Sequence, residues 1–387
     1  MKILGVIFGV IEYTRYRIDY LNVWIKWFIN NKKPKPISVV FFSDGRDYIS
    51  ERQYSPFYFY RKSLRDKLGF VFLPKKLIRE ALPLKGSLNG YNIIIYKIHY
   101  KTEPHEIPLI TTAILEAAKK AHIIYFDGRD GLGVQFPELL DQSHLYVKRH
   151  CFKNRMDYTK EYFGGISLTD YIYKHIGREA LGAHGKSIGV EIKKLFKIHC
   201  GMSYGMDSIL LKLQHRHHTI DWCKDRPWDV ICRMTIPNSW LYYLRAPVVP
   251  ILKKIQQDGR FVLLPDRRVS QREYYNEMLQ SKICVSPFGY GDVCIRDYEA
   301  AALGCLLIKP DMKHVEAKPN IFQPFKTYIP VSWDYSDLEE KIQYYLSHDQ
   351  ERIAIARNAK MAISECSNSK WFLNEVKSML VKVDHLM

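Results

Sequence analysis

Acidic side chains are scarce in this 387-residue sequence, in which 41 Asp and Glu stand against 58 Lys and Arg and the formal net charge is +17. A basic excess of this size attracts phosphates, so it favours a nucleic acid, an anionic membrane surface or an acidic glycan as partner. No zinc-finger, RRM or helix-turn-helix pattern is present, and we therefore predict no nucleic-acid partner. Peripheral contact with an anionic membrane surface stays open, as does a generally basic soluble protein.

Closely spaced cysteine pairs are also missing. The eight Cys residues are irregularly spaced and form no Cys-x-x-Cys motif. Several lie in predicted strands, where Cys behaves as a small apolar residue, so we predict a reducing, cytoplasmic compartment without a disulfide framework. The three histidines at 215, 217 and 218 have no regularly spaced acid or Cys partners. We therefore predict no metal site and no cofactor.

The sequence has no apolar run long enough to span a bilayer. Residues 1–11 are mostly apolar, but they contain two glycines, are followed by Glu12 and lack a small-residue cleavage site. We expect residues 3–10 of this run to form the first β-strand.

Short β-rich runs alternate with segments in which apolar residues have helical spacing. In the first half we predict strands at 3–10, 38–42, 91–98, 122–126, 145–148 and 195–200, and helices at 20–29 and 109–121. In the second half we predict strands at 228–234, 261–264, 283–285, 305–308 and 328–331, and helices at 246–257, 271–279, 293–303 and 337–346. This alternation indicates an α/β fold whose parallel sheets carry helices on both faces.

The chain length suits two domains of ordinary size. The composition shifts at 214–227, where a His-rich run is followed by Asp-Trp-Cys-Lys-Asp-Arg-Pro. We therefore predict an N-terminal domain at 1–222 and a C-terminal domain at 223–366. Residues 367–387 fit a terminal amphipathic helix with Ser367 or Ser369 as its N-cap.

The segment from Ser286 to residue 310 carries the clearest functional pattern. It reads as strand, glycine loop, helix and strand, a unit that places backbone N–H groups and a helix N-terminus against a phosphate. Gly289 and Gly291 let the backbone approach a bulky anion. Arg296 suits diphosphate oxygens, and Glu299, on the same helix face, can accept hydrogen bonds from a ribose diol. The pattern predicts a nucleotide-sugar site; the alternative is a tight turn beside a surface ion pair.

Residues 261–356 resemble the donor-binding half of GT-B glycosyltransferases, most closely the bacterial group 1-like and exostosin-like enzymes. In those enzymes Ser-Pro-x-Gly-x-Gly and Arg-x-x-Glu-Ala also occur. The resemblance implies two Rossmann-like domains facing each other across a cleft, with a C-terminal helix crossing back to the N-terminal domain. It also implies that Glu299 holds the ribose, and that Arg296 with the 289–292 backbone holds the diphosphate. Many retaining members carry two glutamates eight residues apart, whereas here Gly291 stands eight before Glu299, so we expect an inverting mechanism.

Further arginines of the second half lie where predicted strands end. Arg233 sits at the end of the first strand, and Arg267 with Arg268 follows the second, so in a doubly wound sheet both locations face the same cleft. Either could neutralise a leaving diphosphate, the task a metal performs in other transferases, although an ordinary surface arginine is the alternative. The predicted donor-binding residues are Arg233, Arg267, Ser286, Phe288, Gly289, Tyr290, Gly291, Asp292, Arg296 and Glu299, with Lys309, Asp311 and His314 as weaker candidates.

The tetrapeptide Asp-Gly-Arg-Asp occurs twice, at 44–47 and 127–130, each time after an apolar strand. In an open α/β sheet the loops after strand C-termini line the ligand crevice. An inverting transferase needs a carboxylate or His to take the proton of the acceptor hydroxyl. We predict that Asp127 or Asp130 is this base, with Asp44 next, against the alternative of ordinary Asp-Gly turns.

The sequence thus predicts a metal-independent hexosyl- or pentosyltransferase. It would move sugar from a nucleotide-sugar donor to a glycan, glycolipid or glycoprotein acceptor. Two alternatives stay open. One is an epimerase-like enzyme of the same shape that modifies a sugar nucleotide. The other is a non-enzymatic protein that binds polyanions or a membrane surface.

Overall fold

The computed structural model describes residues 2–29, 35–43, 52–73, 76–77, 91–99, 102–103, 105–117, 121–181, 187, 189–264 and 267–384. The first Asp-Gly-Arg-Asp segment, with Asp44 and Asp47, lies outside these residues.

The strands of the first half are β1 Ile37–Ser43, β2 Phe70–Phe72, β3 Lys76–Leu77, β4 Ile93–Tyr96, β5 His122–Asp127, β6 Leu145–Lys148, β7 His150–Phe152 and β8 Ile198–Cys200. All of them except β7 form a seven-stranded parallel sheet in the order β2-β1-β4-β5-β6-β8, with β3 paired to the end of β1. Its central strands are runs of Val, Ile and Phe that are buried on both faces, as parallel strands between two helix layers must be.

The strands of the second half are β9 Trp228–Ile231, β10 Val262–Leu263, β11 Ser281–Val285, β12 Leu306–Pro310, β13 Val315–Ala317 and β14 Ile329–Val331. All of them except β13 form a five-stranded parallel sheet in the order β10-β9-β11-β12-β14. The chain passes from one side of β9 to the other after β10, so a crevice forms at the C-terminal ends of β9 and β11, as in other doubly wound sheets. Two parallel α/β sheets confirm the predicted fold class.

Helices cover the sheets and connect their strands. In the first half they are α1 Lys2–Ile29, α2 Ser55–Phe59, α3 Arg61–Leu68, α4 Glu106–Ala117, α5 Leu139–Gln142, α6 Ser167–His175 and α7 Ser208–Arg216. In the second half they are α8 Tyr242–Arg245, α9 Val248–Gln257, α10 Gln271–Leu279, α11 Ile295–Leu303, α12 Leu338–Ser347, α13 Asp349–Cys366 and α14 Ser369–Asp384.

The prediction of a first strand at 3–10 is wrong, because the structure places these residues in the long helix α1. The apolar run resembles a strand by composition, but no turn signal follows it before Pro34. The two glycines are therefore not enough to end the helix, and the apolar run continues into the helix expected at 20–29. Within the part of the chain that the structure describes, no helix has the length and apolarity needed to cross a membrane.

The two halves are joined by direct pairing. Strand β7 of the first half and β13 of the second form a two-stranded antiparallel ribbon in which Phe152 pairs with Val315. At the end of the chain, α14 packs on the first sheet, where the Phe372 ring contacts Phe57 and Tyr60 at centroid distances of 5.3 and 4.9 Å. These contacts fix the loops of the two sheets opposite each other.

Candidate active site

The glycine loop lies between the end of β11 and the first turn of α11. Its turn is closed by a 3.0 Å hydrogen bond from the Gly289 amide to the Gly291 carbonyl. Asp297 in the first turn of α11 accepts from the Cys294 amide at 2.8 Å and from the Ser286 hydroxyl at 2.5 Å. The local sequence therefore builds a fixed loop at a helix N-terminus, the arrangement expected for binding an anion.

A buried lysine lies directly beneath this loop. The Lys309 ammonium, at the end of β12, is 3.2 Å from the Asp297 carboxylate, and both side chains are fully buried. The ammonium also lies 5.2 Å from the centre of the Phe288 ring, a cation–π distance. Because a buried ion pair is costly to break, this contact fixes the helix start against the neighbouring strand.

Arg296 is bound by protein acceptors. Its guanidinium donates to the Ser286 hydroxyl and to the carbonyls of Arg233 and Pro287, and the residue is buried. These bonds tie the end of β9 to the glycine loop. The side chain thus positions the loop, and the diphosphate contact that the resemblance implies stays a prediction.

Glu299 lies one turn further along α11 and is also buried. Its two carboxylate oxygens accept hydrogen bonds from the hydroxyls of Tyr274 and Tyr275, each at 3.1 Å. Burial raises the pKa of Glu299 above its usual value, against the opposing effect of the two tyrosine hydroxyls and Arg296. A carboxylate has about four acceptor sites, so these two hydrogen bonds do not use its full acceptor capacity.

Arg233 and Arg267 lie in a compact group of ion pairs. Arg233 forms a bidentate ion pair with Glu277, in which both hydrogen bonds are 2.8 Å long, and it donates to the Leu264 carbonyl. Arg267 binds Glu273 at 2.8 Å. The positive charge of both arginines is therefore compensated by carboxylates of α10.

The structure brings a further arginine, which the sequence analysis did not select, to the glycine loop. Arg245, at the end of α8, donates to the Phe288 carbonyl at 2.8 Å and to the Thr235 carbonyl. Burial, and then the nearby Arg296, lower the pKa of Arg245. Two guanidinium groups, those of Arg245 and Arg296, therefore lie beside the glycine turn. No local motif marks Arg245, because the tertiary fold alone brings it there.

The aromatic residues of the loop differ in environment. Phe288 is fully buried, and its ring packs edge-on against Trp333 with the ring centroids 4.8 Å apart. Tyr290 is 57% exposed, and the centroid of its ring lies 6.0 Å from that of Trp240. Phe288 is therefore part of the core beneath the site, whereas Tyr290 presents a ring to solvent.

Asp127 is part of a buried ion pair. It ends β5 opposite Lys148 of β6 in the strand register, and its carboxylate lies 2.8 Å from the Lys148 ammonium. The same carboxylate accepts from the Tyr146 hydroxyl at 2.8 Å and from the Arg129 amide at 3.0 Å. The pKa of Asp127 is lowered: burial alone would raise it, but Lys148 and the Arg129 amide outweigh that effect. An ionised, enclosed carboxylate of this kind is suited to holding the loop in place.

Asp130 meets the glycine loop. A Cβ on residue 291 would lie 1.8 Å from the Asp130 carbonyl oxygen, so only glycine fits there. The Asp130 carboxylate accepts from the Tyr204 hydroxyl, and its carbonyl contacts the His150 ring. The side chain is only partly buried. Of the two predicted bases, Asp130 is thus the one at the junction of the halves.

A carboxylate and an imidazole form a hydrogen-bonded pair at this junction. Asp292, fully buried, is 2.7 Å from the His314 imidazole and 3.4 Å from the Ser167 hydroxyl. Its other carboxylate oxygen is buried and has no hydrogen-bond partner among the described residues. His314 lies just after β12 and is partly exposed.

An open cavity of about 810 Å³ adjoins this pair at the C-terminal ends of β12 and β14. It is lined by His314 and Trp333 together with acidic and basic side chains, among them Asp311, Lys313 and Lys341. Trp333 is held by a 3.0 Å bond from its indole nitrogen to the Asp311 carbonyl and by the Tyr171 ring at 5.0 Å. An aromatic wall with charged groups at its edge suits a sugar.

One further motif has no catalytic geometry. Gly201-Met202-Ser203-Tyr204-Gly205 has the Gly-x-Ser-x-Gly spacing of a serine-nucleophile turn. Ser203, however, is fully buried and has an ordinary extended backbone, with φ −82° and ψ −175°. It lacks the exposed, strained geometry that a nucleophilic serine requires.

Comparison with known proteins gives a family match for part of the second half. Residues 252–372 match a family model described as glycosyl transferase-like. No curated protein matches the chain in sequence.

Several solved structures are similar to the chain at low sequence identity. An alpha-glucosyltransferase in complex with UDP and a 13-mer DNA containing a HMU base is 9% identical with a TM-score of 0.52, over 89% of this chain and 98% of that one. An alpha-glucosyltransferase in complex with UDP-glucose and DNA containing an abasic site is 8% identical with a TM-score of 0.50, over 89% and 99%. Anabaena HepE in complex with UDP-glucose is 10% identical with a TM-score of 0.47, over 89% and 100%.

The fold is therefore that of the GT-B glycosyltransferases, as the sequence predicts. The glycine loop, Glu299 and the elements around them lie inside the matched glycosyl transferase-like region, so the resemblance seen in the sequence is confirmed.

Proposed function

We propose that the protein is a glycosyltransferase that moves a hexosyl or pentosyl group from a nucleotide-sugar donor to a glycan, glycolipid or glycoprotein. The single observation that carries the proposal is the glycine loop at the N-terminus of α11, with Glu299 on that helix and Arg245 beside the turn. The halves predicted at 1–222 and 223–366 would supply the acceptor side and the donor side.

In the proposed donor complex, the Glu299 carboxylate binds the ribose hydroxyls while keeping its two tyrosine partners. The diphosphate lies against the backbone amides of 289–292 and the N-terminus of α11, where the helix dipole favours negative charge. Arg245 and Arg296 add positive charge, and Arg233, Arg267 and Ser286 support the walls of the site. This charge stabilises the departing diphosphate without a metal.

The proposed chemistry is direct displacement at the anomeric carbon with inversion. The acceptor oxygen attacks, the bond to the diphosphate breaks, and a carboxylate takes the hydroxyl proton. Asp130 is the proposed base, because it is partly exposed at the junction, whereas Asp127 holds the loop through Lys148. The buried Asp292 orients the His314 imidazole toward the adjoining cavity, which makes His314 the alternative base.

The proposed acceptor is a glycan or glycolipid that binds the first half near Asp130 and extends into the cavity of the second half beside Trp333. The aromatic wall can stack on a sugar ring, and the basic surface suits an acceptor carrying negative charge. Two of the similar structures are complexes that contain DNA, which stands against our prediction of no nucleic-acid partner. DNA therefore belongs among the acceptors to be tested. The eight free cysteines motivate the proposed cytoplasmic location.

The test is release of nucleoside diphosphate from a panel of nucleotide sugars, beginning with UDP-glucose, with and without mixed glycan, glycolipid and DNA acceptors. Transfer that persists in EDTA supports the metal-independent displacement. An inverted product, identified by NMR of its anomeric proton, supports the inverting mechanism, and a retained configuration contradicts it. Turnover of a sugar nucleotide to its epimer without any transfer would favour the epimerase alternative.

A further inference from the structure

The solvent-facing side of α1 carries large apolar side chains that have no part in the proposed transfer reaction. Ile18, Leu21, Ile25 and Phe28 recur at intervals of three and four residues, so they form one stripe along the helix. They are exposed by 55, 55, 39 and 68%. Val23 lies on the opposite side of the helix from the stripe, where it is buried and faces the protein. The stripe therefore faces solvent, on the side of the helix opposite the protein contact.

Two more large apolar side chains widen the stripe. Trp24 is 42% exposed and stacks on the ring of Phe28, with centroids 5.3 Å apart and planes inclined by 10°. Ile29, the last residue of the helix, is 77% exposed. Tryptophan and phenylalanine among aliphatic residues on one helix face are typical of helices that lie in a membrane interface.

The charges around the stripe are basic. Arg15 and Lys26 are exposed on its flank. The only acid in residues 14–29 is Asp19, whose carboxylate is bound by Arg65 at 2.8 Å and Arg61 at 3.4 Å on α3. Its negative charge is thus compensated within the protein, which leaves the helix edge positive. In a chain of net charge +17, this edge is complementary to an anionic surface.

The geometry fits a helix lying on a membrane. The charged residues Arg15 and Asp19 interrupt α1 near its middle, and no described helix can cross a bilayer. An apolar stripe with aromatic residues and a basic edge is the pattern of an interfacial helix that inserts only to the depth of the head groups.

We propose that α1 docks the protein on the surface of an anionic lipid bilayer. The stripe formed by Ile18, Leu21, Trp24, Ile25, Phe28 and Ile29 inserts between the lipid head groups, and Arg15 and Lys26 contact lipid phosphates. The docking does not rest on the transfer reaction, and the two are tested separately. If both hold, the enzyme works beside membrane-bound acceptors.

Vesicle flotation of the full-length protein tests the docking. We expect the protein to float with vesicles of equal parts phosphatidylcholine and phosphatidylglycerol, and at least ten-fold less with phosphatidylcholine alone. The basic edge predicts that added salt weakens the binding, because screening shortens the range of charge interactions. Failure to bind the anionic vesicles at low salt overturns the proposal.

Two double variants separate the apolar and the basic contributions. Leu21→Ser with Phe28→Ser should abolish flotation, and Arg15→Gln with Lys26→Gln should weaken it at least ten-fold. The control is Ile192→Ser with Phe261→Ser, which removes two apolar side chains of similar exposure, 66 and 64%, from other parts of the surface. Circular dichroism and thermal unfolding report whether each variant folds.

The control should float like the wild type. If the folded Leu21→Ser/Phe28→Ser variant floats equally well, the proposal is wrong. It is also wrong if that variant instead loses a concentration-dependent dimer seen by analytical ultracentrifugation, since the face would then bind a second copy of the chain.

Discussion

Gly291 and Asp130 touch across the junction of the two halves. A methyl group on residue 291 would lie 1.8 Å from the Asp130 carbonyl oxygen and 2.8 Å from the Gly131 nitrogen. Two loops far apart in sequence, one in each half, therefore pack backbone against backbone. The contact places the proposed base beside the proposed diphosphate site.

Gly291→Ala should force the two loops apart. We expect a loss of stability of about 1–3 kcal/mol, as for other overpacked sites, and a loss of donor binding. The control for stability is Gly289→Ala, whose added carbon meets the side-chain sulfur of Cys294 at 3.0 Å, a group that can shift more readily than backbone. Urea unfolding compares the stability of the two variants, and donor titration measures the binding loss of Gly291→Ala. Equal loss of stability in the two variants would show that the junction is not tightly packed.

Glu299→Gln should weaken the affinity for the nucleotide-sugar about 10- to 100-fold, the cost of losing hydrogen bonds to a charged acceptor. The variant keeps the shape of the side chain, and its melting temperature should stay near that of the wild type. Glu340→Gln, at an exposed position of α12, is the matched control and should leave affinity unchanged. Calorimetric titration measures the dissociation constants, and an unaltered value for Glu299→Gln argues against the ribose contact.

Asp127 and Asp130 should respond differently to the same amide substitution. Asp127→Asn leaves the buried Lys148 ammonium without its counter-charge, so we expect a loss of about 3–5 kcal/mol in unfolding free energy. Asp130→Asn should instead reduce kcat about 10²- to 10⁴-fold at unchanged donor affinity, as loss of a general base does. Full turnover by Asp130→Asn, together with a large defect in His314→Gln, would transfer the role of base to His314.

His199 should make the protein acid-sensitive. Burial, and then the nearby Lys318, Lys382 and Arg155, lower the pKa of His199 to about 3. The unfolded chain takes up the proton near its ordinary pKa of about 6.5, so the stability due to the neutral imidazole is complete above that pH and decreases as the pH falls. At pH 5.5 the decrease is about 1.4 kcal/mol.

The variant His199→Gln isolates this contribution, since other groups titrate in the same range. The difference in unfolding free energy between pH 7.5 and 5.5 should be smaller in the variant by about 1.4 kcal/mol, measured by urea denaturation. An identical pH dependence in the two proteins would mean that His199 is protonated normally in the folded state.

The sequence predicts the strands and the glycine loop well because both leave local signals. Buried parallel strands are continuous apolar runs, and the loop at 286–294 carries its own glycines and helix start. The same reasoning does not predict helix α1, because a short apolar run with two glycines also fits a strand. Only the absence of a turn signal after the run favours the helix.

The contacts that define the site depend on tertiary structure. Asp127 and Asp130 look equivalent in the sequence, and only the strand register pairs Asp127 with Lys148. Arg245 reaches the glycine loop from α8, and Tyr274 reaches Glu299 from α10, although no motif links them. Periodicity predicts which elements form, but these side-chain partners depend on how the elements pack.

The central claim is that the loop at 286–299 binds a nucleotide-sugar donor. Thermal unfolding of the wild type against a panel of nucleoside diphosphates and their sugars tests it most directly. A donor at 100 times its Kd should stabilise the folded protein by about 2.7 kcal/mol, so at least one nucleotide should raise Tm, and Glu299→Ala should abolish that rise. If no nucleotide raises the Tm of the wild type, or if Glu299→Ala responds as the wild type does, the donor site is not at this loop.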